Sequence, residues 1–113
     1  MAIWKGSGLL SITNTSNSNI INLGNLLIDD GNQLSFTNNG SVNINKLTGN
    51  NQCNGSGQFT INQLSGTVTQ NGSGLITIGT ISNANIINNG TNKAIVTSPP
   101  LSILPGEIFS TPQ

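Results

Sequence analysis

The sequence predicts an all-β fold: a short parallel β-solenoid of about six coils with a 16–17-residue repeat over residues 1–97, followed by a Pro-rich C-terminal arm over residues 98–113. Three observations predict it. Isoleucine returns every sixteen or seventeen residues, at Ile12, Ile28, Ile44, Ile61, Ile78 and Ile95, which marks one structural unit repeated along a core spine. Two further columns keep that register: Gly8, Gly24, Gly40, Gly57 and Gly74 run ahead of the isoleucines, and Leu10, Leu26, Val42, Phe59 and Ile76 stand two residues before them. A small polar residue then recurs four residues after the first five isoleucines, as Ser16, Asn32, Thr48, Ser65 and Ser82, so each unit ends in a polar corner.

The clearest copies begin at Val42, Phe59 and Ile76, seventeen residues apart. Apolar and polar residues alternate across Val42 and Ile44, Phe59 and Ile61, and Ile76 and Ile78, the period of a strand with one buried face. Leu47, Leu64 and Ile81 fall an odd three residues past the isoleucine, so a bulge or bend is expected between if they also face inward. A longer match supports the repeat: Gly6-Ser7-Gly8-Leu9 returns sixty-six residues later as Gly72-Ser73-Gly74-Leu75. A second apolar patch follows each corner, at Ile20-Ile21, Leu34 and Phe36, Val68, and Ile86-Ile87, giving two short strands and two turns per coil.

Asn-Gly pairs at Asn39-Gly40, Asn54-Gly55, Asn71-Gly72 and Asn89-Gly90 suit tight corners, because both residue types tolerate positive φ. The same dipeptide favours hairpins, but like strands recurring in one direction at fixed spacing favour parallel stacking. Stacked coils lie about 4.8 Å apart, so six would make a rod of roughly 25–30 Å. Asn, Ser and Thr in the corner columns are placed to hydrogen-bond to their copies above and below.

Composition narrows the function. Lys5, Lys46 and Lys93 balance Asp29, Asp30 and Glu107, for a net charge of zero and only 5 % charged residues. Nucleic acid is not an expected partner, since phosphate neutralisation needs clustered Lys or Arg and the chain has no Arg. Near-zero charge removes a barrier to self-association. With no His, no Tyr and one Cys, the chain lacks the usual positioned base and its orienting partner, so no catalytic residue, metal or cofactor is expected. Asp29-Asp30-Gly31-Asn32 reads as a turn rather than a Ca²⁺ loop. No stretch is long and apolar enough to insert in a membrane, and no secretory leader is visible ahead of the first repeat. The single Cys53 forms no internal disulfide; a buried side chain or an intermolecular bridge are its two readings.

The two ends supply candidate assembly contacts. Ile3 and Trp4 precede the first Gly-Ser-Gly, placed to fold over the first coil or to anchor in a neighbouring subunit. After Ser98-Pro99-Pro100 the repeat stops, and Leu101, Ile103, Leu104, Ile108 and Phe109 appear among prolines that forbid a central strand. This arm either covers an edge of its own solenoid or reaches onto the next subunit.

The Asn, Gly, Ser and Thr-rich coil with its repeated apolar-x-Ile core, over about residues 6–97, resembles bacterial β-solenoid repeats of surface adhesins and curli-like fibres. The resemblance implies a structural or adhesive role without catalysis, and an extracellular or surface location. The expected function is therefore a structural subunit, partnered with itself as a homopolymer, stacked end to end into a filament. The alternative is a non-catalytic adhesin or β-helical tip module that contacts a glycan or surface. Ice binding would need a flat Thr array; Thr60 and Thr77 align, but Ser11, Leu27 and Asn43 share their column.

Overall fold

The computed structural model describes residues 2–4 and 8–111, the first three by their backbone alone; the side chains of Ile3 and Trp4 lie outside the described residues. There is no helix among the described residues, and parallel strands wind as a β-solenoid with two walls. One wall stacks β2 (Leu9–Ser16), β4 (Asn25–Asn32), the first half of β6 (Ser41–Asn54), the first half of β7 (Gln58–Gln70), β8 (Ile76–Ile81) and β10 (Ala94–Ser98). The other stacks β1 (Ala2–Trp4), β3 (Asn19–Asn22), β5 (Ser35–Asn38), the second halves of β6 and β7, and β9 (Asn85–Asn88). In β6 and β7 the chain passes from one wall to the other as a single bent strand.

The spine lies in register: Ile12 faces Ile28, then Ile44, Ile61 and Ile78. Its sixth member is Val96, not Ile95. Coil steps lengthen along the chain from sixteen to seventeen, and the last step is eighteen, because one extra residue enters between Ile81 (opposite Leu64) and Asn85 (opposite Thr67). Ile95 thus turns outward beside Thr77, while Ala94 and Val96 become the buried pair, each 1 % exposed. Six stacked positions bound five steps, so the solenoid has about five turns rather than six coils. The bend expected after the isoleucine is present: the ladder skips Asn45 and Asn62, two successive side chains point out, and Leu47 and Leu64 return to the core. Between the walls Phe36 and Phe59 meet edge to face, ring centroids 5.3 Å apart.

Two polar columns explain why so slender a core holds. At one corner Gly24, Gly40, Gly57 and Gly74 stack so closely that a Cβ on any of the last three would overlap the carbonyl oxygen of the glycine one turn below. Among the Asn-Gly corners only Gly55 has positive φ (99°), so Gly40, Gly72 and Gly90 are required by close approach instead of by handedness. The other left-handed positions are Asn17, Gln33, Gly49, Asn83 and Gly106. Inside the corners sit fully buried amides. Asn22, Asn38, Gln70 and Asn88 each accept from the N–H two residues on, at 3.0–3.1 Å, while their NH₂ groups donate to corner or neighbouring-coil carbonyls. Such saturation removes the desolvation cost of burying an amide.

The C-terminal residues lie back on their own solenoid as short strands. Pro99 and Pro100 turn the chain back, and β11 (Leu101–Ile103) pairs antiparallel with β10 while β12 (Ile108–Ser110) pairs antiparallel with β9. Prolines flank these three-residue strands without entering them, which is why pairing survives. Thr111 fastens the end, its N–H donating to the Ala84 carbonyl at 2.9 Å and its hydroxyl accepting from the Ala84 N–H at 2.9 Å.

Candidate assembly surface

Burial separates the two ends of the solenoid. Along the spine Ile28, Ile44, Ile61, Ile78 and Val96 are no more than 2 % exposed, whereas Ile12 and its neighbour Leu10 are only partly covered and Leu9 is 62 % exposed. The cause is topological: among the described residues β2 pairs with β4 alone. Among the described residues its far edge has no partner strand over its eight residues, and the half-covered Leu10 and Ile12 lie beside it. At the opposite end Ile103 is 3 % exposed, and Leu101 and Phe109 pack against the core, so the last turn is crowned.

The candidate contacts divide accordingly. The backbone of Ile3 and Trp4 pairs in β1 with Ile21 and Asn22 of the same chain. Leu101, Ile103 and Phe109 are occupied with their own coil, while Leu104 (53 % exposed) and Ile108 (68 % exposed) face outward. Leu9, Leu10 and Ile12, which the end-contact reading omitted, form the open rung. Their sequence matches that of inner copies, so the repeat pattern alone could not mark them as terminal.

A second feature lies on the outer wall. A shallow groove of about 400 Å³ runs across the first coils, lined by Ser11, Thr13, Leu27, Asp29, Asn43 and Asn45 among others. Its floor carries a ladder in which Asn62 donates to Asn45 at 3.3 Å and Asn45 donates to Asp29 at 3.0 Å. Among the described residues no group of three His, Cys, Asp or Glu could hold a metal, and no helix is long and apolar enough to cross a membrane.

Cys53 is fully buried and stacks between Phe36 and Gln70. Burial pushes its thiol from the ordinary 9.0 up to about 12. A thiol reagent should therefore leave the folded chain unmodified and label it only after denaturation. Above pH 9.0 the unfolded chain loses the thiol proton while the folded chain keeps it to about 12, so stability falls as pH rises across that window. The full slope is about 1.4 kcal/mol per pH unit. Urea midpoints taken across the window should show this slope in the parent and its loss in Cys53→Ala.

No family model, curated protein or solved structure matches the chain.

Proposed function

We propose that the protein is a non-catalytic structural subunit that assembles with its own copies, end to end, through the terminal coil of its solenoid. The observation that supports this is the strand Leu9–Ser16, paired on one side only among the described residues, with Leu10 and Ile12 left half-covered beside it. A buried strand edge gains hydrogen bonds and loses apolar exposure in one step, and a chain of zero net charge offers no repulsion to oppose it. A filament would need a second open end; the strands Leu101–Ile103 and Ile108–Ser110 occupy that position, which favours a finite stack. Light scattering on size-exclusion fractions tests the reading. A mass above 11.7 kDa that rises with concentration supports it, and a monomer at every concentration overturns it.

The second reading is an adhesin-like module that contacts a glycan or surface. The groove favours it, because Leu27 (37 % exposed) supplies an apolar platform rimmed by Asp29, Asn43 and Asn45. A monomer that binds in a glycan screen, with binding lost in Asn43→Ala, would select this reading over the first.

A further inference from the structure

We infer that two copies join head to head across a two-fold axis, β2 of one pairing antiparallel with β2 of the other, so that the assembly closes at two copies. This rests on the self-assembly reading above and adds which end joins, in which sense, and where growth stops.

The choice of partner follows from matching edges. Head-to-tail stacking would set the eight-residue β2 against β11, or in a half-turn rotation against β12, each only three residues long, with Pro99, Pro100 and Pro105 in the adjoining turns. Most of the β2 donors and acceptors would find no partner there. Against itself β2 matches by symmetry, residue for residue, as an isologous interface requires. It reads Leu-Leu-Ser-Ile-Thr-Asn-Thr-Ser, without a charge, so self-juxtaposition carries no like-charge penalty. The molecule also displays the junction it needs: at its other end a parallel rung is completed by antiparallel strands on both walls.

A lone extended peptide fits less well. It could pair along β2 yet would leave Leu10, Ile12 and the edge of the second wall uncovered, whereas a second copy brings both walls and an identical core section. The two smaller of the three extents, 26 and 21 Å, set the least area an end of the solenoid can have. Two such ends bury roughly 1,000 Å², the lower limit of specific interfaces, so the pair should be concentration-dependent.

Full-length Ser11→Cys and Ser102→Cys, both at exposed positions, are treated alone and mixed with a short bifunctional thiol crosslinker; buried Cys53 serves as the silent background. The expected result is a doubling of the 11.7 kDa mass for Ser11→Cys alone, none for Ser102→Cys, and no mixed product. A mixed product would mean head-to-tail growth, which overturns this inference and leaves self-assembly standing. A dimer by light scattering with no Ser11→Cys product places the interface elsewhere and also overturns it. A monomer throughout removes both readings.

Discussion

Gly57→Val should destabilise the protein by at least about 3 kcal/mol, the upper range for overpacking, because the obstacle is backbone and not a flexible side chain. A Cβ at residue 57 would overlap the Gly40 carbonyl oxygen and stand 2.8 Å from the Asn38 carbonyl oxygen and 2.7 Å from the Asn38 amide nitrogen. That amide donates to the Gln58 carbonyl at 3.0 Å, so the corner hydrogen bond fails together with the coil spacing. The control lies in the same sequence column. Around Gly8 nothing lies within 4 Å, and Gly8→Ala should stay within about 0.5 kcal/mol of the parent. Urea denaturation of the two variants checks both. Equal effects would mean that the glycine column is a turn preference rather than a spacing requirement.

Asn51→Leu is expected to cost about 3 kcal/mol or more, since it strands several buried polar groups at once. The side-chain Oδ1 of Asn51 accepts from the Leu34 N–H at 2.8 Å, and its NH₂ donates to the carbonyls of Thr48, Gly49 and Thr67 at 3.0–3.2 Å. Leucine has similar volume, so the loss would come from unpaired groups and not from a cavity. Asn62→Ala, which breaks only an exposed 3.3 Å rung to Asn45, should cost less than about 1 kcal/mol. Thermal melts of both variants give the comparison. A small effect at Asn51 would show that water reaches this corner.

The contrast between these two asparagines marks what the sequence could convey. Apolar periodicity exposed the spine and the inward pairs, because a buried stripe recurring once per coil leaves a direct trace in spacing. It did not expose the buried amides, since a polar residue read from pattern alone is assigned outward; only the geometry reveals that Asn22, Asn38, Asn51, Gln70 and Asn88 are enclosed and satisfied by backbone. Ile95 misled for a related reason. In Ala94-Ile95-Val96 three consecutive apolar residues fit either phase, and a one-residue insertion between Ile81 and Asn85 decided which. The glycine column was visible, but its cause was not: close approach between turns is a property of two coils, whereas turn chemistry is local. The strands Leu101–Ile103 and Ile108–Ser110 were hidden by their prolines, which sit just outside each pairing. The open rung was legible only as one more copy.

The ladder between β6 and β7, with twelve paired positions and a single skip at Asn45 and Asn62, has a bearing on how the chain finds its shape. Each pairing along the solenoid closes a loop of one turn, so the entropy of closure is nearly the same at every step and no step requires distant segments to meet. Folding can therefore begin at this central pair, where contact is longest, and proceed as a zipper toward both termini. Growth toward the carboxyl side ends when the last two strands reverse over the finished turn, while among the described residues the other front keeps one strand, β2, with a single paired edge.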